Sequence, residues 1–257
     1  MVLGAQLYTV RDFCKTKEDL SETLKKVADI GYTSVQLSGV CGYEAEWMKE
    51  ELKKDGLTAD LTHFSYDRIV KETEETIRFH KTFGCNYIGI GGNPKFNFEY
   101  GGMQTFIEEV RPAVKKIAQA GMKFMYHNHH MEFGRFPEAG GKNTIELLCD
   151  AFGPDELGFT LDCYWVVEAG ADPVQLFKQL KGRLDCVHFK DKTFSLEAKG
   201  TRMAPVGKGN INHPALVEAA QEAGTKYVFV EQDSCYEEDP FDCLKQSYEY
   251  LKSLGLK

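Results

Sequence analysis

Segments with strand-like and helix-like hydrophobic patterns alternate along the whole chain, and this alternation limits the folds that the chain can adopt. The strand candidates read GAQLYTV, SVQLSG, TADLTH, YIGIGG, KFMYHNH, LGFTLD, LDCVHFKD and YVFVEQD. Helical spacing fills the intervening segments, as from Leu20 to Gly31 and from Phe106 to Gly121, where a glycine stands at a position that favours a helix end. Because parallel strands need such crossover helices, the pattern predicts parallel β/α units rather than hairpins.

The length of the chain agrees with a barrel built from eight such units. Its 257 residues divide into about 32 per unit, which fits one strand, one helix and two short connections. We therefore predict an α/β fold in which residues 1–257 form one domain, a closed (β/α)8 TIM barrel. An open doubly wound sheet is the alternative. Its nucleotide-binding form carries glycines at the first strand-to-helix turn, which here reads TVRDFCKTKED.

The charge and the hydropathy pattern exclude several classes of partner. The net charge of −8 opposes binding to a phosphate backbone, so we do not expect nucleic acid as a ligand. The beginning of the chain, MVLGAQLYTVRDF, lacks a basic segment followed by a long apolar one, and no apolar run approaches the length of about 18 residues that a bilayer requires. These features predict a cytoplasmic protein without membrane contacts.

Four side chains that suit a hard metal ion lie at or just beyond the ends of the last four strand candidates. They are Glu132, Asp162, His188 and Glu231. In a parallel barrel the C-terminal ends of the strands meet at one rim, so these residues can surround a single ion. Three carboxylates and one imidazole favour Mn²⁺ or Mg²⁺ and leave open positions for two substrate oxygens. The sequence therefore predicts a metal-dependent enzyme.

The same ligand set predicts chemistry on a hydroxyketone. Chelation of adjacent carbonyl and hydroxyl oxygens makes the neighbouring C–H acidic and stabilises the enediolate that forms when the proton leaves. In this hypothesis Glu231 and Glu132 flank a sugar from opposite faces and act as catalytic base and acid. Isomerisation, epimerisation and dehydration share this first step. Taken singly, each acid can instead be a rim charge paired with Lys190, Lys192 or Arg202.

Several polar and aromatic residues near the strand ends are candidate substrate contacts. They are Gln6, His63, His127, His129, Trp165, Lys190 and Arg202, while Tyr8 is either an apolar wall beside a sugar or a core contact. The long segment 192–212 contains glycines and basic residues, and it is predicted to be a lid that brings Arg202 and Lys208 to the substrate; a solvated surface loop is the alternative.

The segments QLYTVRD, YHNHHMEF, LGFTLDCYWVVEAGADP, VHFKD, PVGKGNIN and VFVEQD together resemble the sugar phosphate isomerase/epimerase family, which has a xylose isomerase-like TIM barrel. The most similar branch contains inosose dehydratase-like proteins. The resemblance implies one divalent ion, commonly Mn²⁺, Mg²⁺, Co²⁺ or Zn²⁺, held by two glutamates, an aspartate and a histidine. Asp162, His188 and Glu231 match three of these positions, and Glu132 is assigned to the fourth, with His129 as the alternative ligand.

The expected function is thus that of a metal-dependent sugar isomerase or epimerase acting on a ketose or related polyol ketone. An inosose-type dehydratase is the main alternative. A DNA-repair endonuclease with several zinc ions and a non-catalytic sugar-binding barrel are further alternatives. The resemblance also makes a homodimer or homotetramer plausible. The identity of the sugar, the presence of a phosphate group on it and the final product depend on the shape of the rim and stay open at this point.

Overall fold

The computed structural model describes residues 1–257 and shows a closed barrel of eight parallel strands, which confirms the predicted fold. Ten strands occur along the chain, of which β8 and β9 form a separate antiparallel hairpin. Their bounds are β1 Val2–Gln6, β2 Ser34–Leu37, β3 Thr58–His63, β4 Tyr87–Ile90, β5 Lys123–His127, β6 Leu157–Asp162, β7 Cys186–Phe189, β8 Asp191–Ser195, β9 Gly200–Ala204 and β10 Tyr227–Val230. Strands β1 to β7 follow one another around the barrel, and β10 closes it between β7 and β1.

Helices connect the barrel strands on the outside. They are α1 Lys17–Ile30, α2 Ala45–Asp55, α3 Tyr66–Lys71, α4 Thr73–Thr82, α5 Tyr100–Gln119, α6 Thr144–Ala151, α7 Cys163–Glu168, α8 Pro173–Gln179, α9 His213–Ala223 and α10 Pro240–Ser253. The hydroxyl of Thr16 caps the start of α1, and Gly31 ends it with a φ of 121° that only glycine adopts easily. None of the helices combines the length and the apolar character needed to cross a bilayer.

Every second residue of each barrel strand faces the interior, and bulky side chains there lie against glycines of neighbouring strands. Phe229 of β10 occupies the space beside Gly4, where a Cβ atom would lie 2.6 Å from the phenyl ring. Met125 of β5 fills the corresponding space beside Gly158. This exchange of large and small residues fills the barrel with side chains and leaves functional groups only at its ends.

A charge network centred on the buried Asp185 closes the N-terminal end of the barrel. Asp185, just before β7, accepts hydrogen bonds from Lys123 at Oδ2 (2.5 Å) and from Tyr87 at Oδ1 (3.3 Å), and Lys226 lies 2.8 Å from Oδ1. Burial alone opposes ionisation of Asp185. The two lysines outweigh burial and lower the pKa of this carboxyl group.

Asparagine at position 185 is expected to lower the free energy of unfolding by about 1–3 kcal/mol at pH 7, because two lysines lose a shared, mostly buried counter-ion. A lowered folded-state pKa adds stability above the unfolded value of about 3.9, and this contribution disappears as the pH falls through the folded value. Urea unfolding from pH 7 downward should therefore show wild type and Asp185→Asn converging in acid. A constant difference at every pH would contradict this assignment. Asp150→Asn, at an exposed pair with Lys142, is the control and should change little.

The chain after β7 forms a hairpin and then a loop that a single carboxylate holds in place. Asp191, which is buried, accepts hydrogen bonds from four backbone N–H groups. They belong to Lys192 (2.8 Å), Gly207 (2.9 Å), Gly209 (3.0 Å) and Ile211 (3.1 Å). A Cβ atom on Gly209 would lie 2.2 Å from Asp191 Oδ1, so this close approach requires glycine. Asp191 thus fixes the backbone next to Lys190.

Candidate metal centre at the C-terminal rim

Four strand ends place two imidazoles and two carboxylates around one point. His127 ends β5, Asp162 ends β6, His188 lies in β7, and Glu231 directly follows β10. All four side chains are buried, and one possible ligand atom from each lies within 4.8 Å of the others. Each is an inward-facing residue of its strand, which is why parallel strands bring them together.

Hydrogen bonds to the far side of each imidazole decide which nitrogen faces the cluster. His127 donates from Nδ1 to the carbonyl oxygen of Gly91 (3.1 Å), and His188 donates from Nε2 to Oε1 of Gln36 (2.5 Å). Since these oxygens only accept, a neutral imidazole at either position presents a bare nitrogen to the carboxylates. Gln36 thereby orients His188, the kind of support that metal-binding histidines receive from outer residues.

The four inward atoms fit a divalent cation. His127 Nε2 lies 3.2 Å from Asp162 Oδ2, and His188 Nδ1 lies 2.9 Å from Glu231 Oε2. His188 Nδ1 and Glu231 Oε2 are buried and lack hydrogen-bond partners of suitable geometry. Tetrahedral ligands at about 2.1 Å from an ion are separated by roughly 3.4 Å, close to these spacings. Positive charge between such atoms, either a proton or a divalent cation, satisfies their lone pairs. Burial opposes protonation of His188, but Glu231 and Asp162 outweigh burial and raise the pKa of its imidazole.

The cluster already contains one positive side chain. The ammonium group of Lys190 lies 3.0 Å from Asp162 Oδ2 and 3.0 Å from Glu231 Oε2, and it donates to both oxygens of Asp233. Burial opposes ionisation of Asp162 and Glu231, but Lys190 and the histidines overcome it and hold the pKa of both carboxyl groups well below the usual range. Burial and the charge of Glu231 instead raise the pKa of Asp233 to about 6.

A cavity of about 430 Å³ opens above the cluster at the C-terminal rim. It is lined by Tyr8, Ser38, His63, Gly91, His127, His129, Trp165, Lys190, Glu231 and Asp233. Burial, together with the nearby His127, lowers the pKa of His63 well below its usual value and that of His129 to about 4, so both imidazoles are neutral at physiological pH. His63 Nε2 has no partner, and Nδ1 lies 3.3 Å from the Ser38 hydroxyl. The cavity thus offers neutral polar groups and an indole wall to a ligand.

The sequence predicts Glu132 as a metal ligand and catalytic group, but the structure does not bring it into the cluster. The chain leaves β5 at His127 and forms a short 3-10 helix at Met131–Phe133, which turns the Glu132 side chain away from the cavity. Its carboxylate accepts hydrogen bonds from the Tyr126 hydroxyl (3.1 Å) and from the backbone N–H of His129 (2.8 Å). His127, assigned from the sequence as a substrate contact, occupies the fourth position of the cluster instead.

The other predicted contacts divide into two groups. His63, His129, Trp165 and Lys190 line the cavity, whereas Gln6 and Arg202 do not. Gln6 is buried in the barrel and accepts from the N–H of Tyr8. Arg202 pairs with Glu237 (2.8 Å) and lies over the Tyr236 ring. Lys208 also lies outside the lining, so segment 192–212 does not bring its basic side chains to the site as a lid would.

Three cavity residues were not recognised from the sequence. Asp233 and Ser38 follow inward-facing residues by two positions, namely Glu231 and Gln36, so the strand period could have identified both. Gly91 gave no such signal, since its contribution is a backbone carbonyl that accepts from His127.

Comparison with known proteins places the chain in a family. The family model described as xylose isomerase-like TIM barrel matches residues 24–254, which is most of the sequence. The chain belongs to this family. The resemblance seen in the sequence motifs is thereby confirmed.

Individual curated relatives have low sequence identity to this chain and align with only part of it. An inosose dehydratase from Lacticaseibacillus casei is 28% identical over 152 residues, which cover 53% of this chain and 49% of that protein. A probable endonuclease 4 from Mycobacterium bovis is 34% identical over 100 residues, or 38% of this chain and 40% of that protein. The aligned regions thus span about half the length, or less, of these curated relatives.

Among solved structures, a sugar phosphate isomerase/epimerase from Parabacteroides distasonis superimposes with a TM-score of 0.81 and is 23% identical, covering 98% of this chain and 93% of that chain. At this level of identity the match shows the shared fold. The curated relatives are named for different enzymatic reactions, so the reaction of this chain has to be argued from its site.

Two substitutions near the end of β5 test whether His127 or Glu132 serves as a metal ligand. His127→Ala is expected to weaken Mn²⁺ binding by at least about 100-fold, because outer partners of ligands alone contribute 10- to 100-fold. Glu132→Gln keeps the shape of a buried side chain outside the cluster and should change the affinity by less than about threefold. Titration of metal-free protein with Mn²⁺ by calorimetry measures both. The reverse order of effects would restore Glu132 as the ligand.

Proposed function

We propose that this protein is a divalent-metal-dependent enzyme that removes a proton next to the carbonyl group of a ketose or related polyol ketone, as a sugar isomerase or epimerase does. The convergence of His127, Asp162, His188 and Glu231 below a polar cavity carries the proposal. Mn²⁺ is our first choice of ion. The two imidazoles also suit Co²⁺ or Zn²⁺, and Mg²⁺ fits the carboxylates better than the histidines.

A divalent ion held by these four residues would polarise the substrate carbonyl and stabilise the negative charge that develops on its oxygen. Glu231 is the proposed base, because its carboxylate reaches the cavity and is kept ionised by Lys190 and His188. The substrate C–H bond breaks, its proton goes to Glu231, and the electron pair forms the enediolate. Return of that proton to the adjacent carbon, together with transfer of the hydroxyl proton to the former carbonyl oxygen, gives isomerisation.

The remaining cavity residues bind and orient the substrate in this proposal. Neutral His63 and His129 can exchange hydrogen bonds with hydroxyl groups, and the unpartnered Nε1–H of Trp165 can donate one. The Trp165 ring shields the reacting carbon from water. The Lys190 ammonium group, already surrounded by three carboxylates, favours substrates without a phosphate group because it has little positive charge left to offer.

Dehydration is a second candidate because of the position of Glu132. Epimerisation needs proton donors on both faces of the substrate, but the expected second carboxylate is held by Tyr126 and by the backbone N–H of His129. Dehydration needs one base and departure of a hydroxyl group from the next carbon. The proton that Glu231 takes up can be passed to that hydroxyl, which then leaves as water. The similarity to an inosose dehydratase supports this alternative.

Proton exchange with deuterated water tests the proposal. Free and phosphorylated ketoses and inososes are incubated with Mn²⁺-loaded protein and with metal-stripped protein, and proton spectra are recorded after removal of the paramagnetic ion. We expect metal-dependent loss of the signal next to the carbonyl group for an unphosphorylated substrate, with the product signals separating isomerase, epimerase and dehydratase. Binding of a sugar without any metal-dependent exchange would favour a non-catalytic sugar-binding barrel.

A further inference from the structure

Lys190 is the only lysine or arginine that lines the cavity, and its positive charge lies next to the proposed cation site. Its side chain is buried, and the ammonium group lies about equally far from three carboxylates, at 3.0 Å from Asp162, 3.0 Å from Glu231 and 2.9 Å from Asp233. The other basic side chains of the following segment turn outward. Lys192 pairs with Glu168, and Arg202 pairs with Glu237.

The backbone of Lys190 cannot move easily. His213 donates from Nε2 to its carbonyl oxygen (3.2 Å), and the next residue, Asp191, is held by four backbone N–H groups. Any displacement of the ammonium group must therefore occur by rotation within the side chain. The ammonium group already contacts three carboxylates, those of Asp162, Glu231 and Asp233.

Two of these carboxylates belong to the proposed cation site. The ammonium group contacts Asp162 Oδ2 and Glu231 Oε2, the same atoms that face His127 and His188. A divalent ion bound to these oxygens would lie within a few ångströms of the ammonium charge, and like charges at such a distance repel strongly. Asp233 is different, because it receives both of its hydrogen bonds from Lys190 and is not one of the four clustered residues.

We propose that Lys190 is an internal counter-ion that competes with the divalent cation for Asp162 and Glu231, and that Asp233 retains the ammonium group when the cation binds. Lys190 then keeps the acidic cluster assembled in the metal-free protein, and the Lys190–Asp233 pair sets the affinity for the ion. This inference rests on the metal dependence in the proposed function. Lys190 and Asp233 are positioning residues in this scheme, because they act through the ligands.

A double-mutant cycle on Mn²⁺ affinity tests the competition. Protein stripped with a chelator is titrated with MnCl₂ by calorimetry for wild type, Lys190→Met, Asp233→Asn and the double variant. Lys190→Met should bind Mn²⁺ at least about tenfold more tightly, because a positive charge next to the site is lost. Asp233→Asn should bind about tenfold more weakly in the wild-type background, yet change the affinity by less than about threefold in the Lys190→Met background.

The matched control is Lys192→Met, which removes a positive charge two residues away that pairs with Glu168 outside the cavity. It should leave the Mn²⁺ affinity unchanged. Thermal unfolding gives a second measurement: Lys190→Met should lower the melting temperature of the metal-free protein more than that of the Mn²⁺-loaded protein. If Lys190→Met does not fold, Lys190→Gln removes the same charge and keeps an N–H donor, so the expected tightening is measured on that variant.

The outcomes separate this inference from the proposed function. Wild-type protein that binds Mn²⁺, combined with equal or weaker binding by Lys190→Met and Lys190→Gln, overturns the competition and leaves the metal-dependent function intact. An equal effect of Asp233→Asn in both backgrounds overturns the role of Asp233. Absence of Mn²⁺ binding in every variant overturns both proposals together.

Discussion

Glutamine in place of Glu231 is expected to lower the rate of substrate proton exchange by a factor of about 10³, within the range that a positioned general base contributes. The substitution keeps the size of the side chain but removes the carboxylate that lies 2.9 Å from His188 Nδ1 and 3.0 Å from Lys190 Nζ. An amide does not take up a proton at neutral pH, so the enediolate cannot form at its normal rate. Solvent exchange followed by NMR on the preferred ketose measures the loss.

Glu132→Gln provides the matched control for this experiment. It makes the same chemical change at a buried glutamate whose carboxylate contacts Tyr126 and the backbone of His129 instead of the cluster. This variant should retain exchange within about tenfold of wild type, as expected for a group outside the reacting centre. Because Glu231 is also a proposed ligand, each variant is assayed at saturating Mn²⁺. Exchange at the wild-type rate in Glu231→Gln would exclude Glu231 as an obligatory base.

The second large effect is expected at Asp191, where a single carboxylate holds the loop after β9. Asp191→Asn should lower the free energy of unfolding by about 3 kcal/mol, because an amide nitrogen replaces one of two oxygens that each accept from two N–H groups. At least one pair of N–H groups then loses its acceptor. Urea unfolding gives the global loss, and faster proteolysis at Lys208 would show that this loop opens first.

Asp67→Asn serves as the comparison for Asp191→Asn. Asp67 lies on the exposed side of α3 and makes only a surface pair with Lys71, so its replacement should change the stability by less than about 0.5 kcal/mol. A loss below about 1 kcal/mol in Asp191→Asn would mean that water replaces the carboxylate at little cost.

Most of the fold could be predicted because a (β/α)8 barrel requires strand and helix patterns to alternate regularly along the sequence. Each barrel strand is an apolar run between helical segments, and closure of eight such strands follows from their number and spacing. The hairpin of β8 and β9 does not follow from the sequence pattern, which predicts a lid over segment 192–212. The pairing of β8 with β9 depends on the register between Asp191–Ser195 and Gly200–Ala204. These two segments show only weak hydrophobic alternation, which specifies the register weakly.

Strand periodicity predicts the positions of those site residues that lie at strand ends, but not of residues farther along the chain. Asp162, His188 and Glu231 lie within one residue of a strand end, so the parallel strands bring them together. Glu132 lies five residues beyond the end of β5, after the chain has entered a 3-10 turn, and no strand rule applies there. Its partner Tyr126 is an outward-facing residue of β5, which shows that Glu132 has turned to the other side of the strand.

Lys190 shows a different limit of prediction from the sequence. The sequence offered two interpretations, a substrate contact and a structural ion pair with Asp162 or Glu231. Which interpretation holds depends on the distances between the C-terminal ends of β6, β7 and β10. In the structure Lys190 lines the cavity and also pairs with the carboxylates. Both interpretations describe part of its position.

The separation of the two ends of the barrel has a practical consequence for protein engineering. The network around Asp185 at one end and the cluster around Asp162 at the other are divided by an apolar layer that includes Leu61, Met125 and Phe229. Libraries that randomise the rim in a search for new substrates therefore leave the distant stabilising charges untouched. Variants that lose stability at the rim can be rescued by improving the opposite end, without altering selectivity.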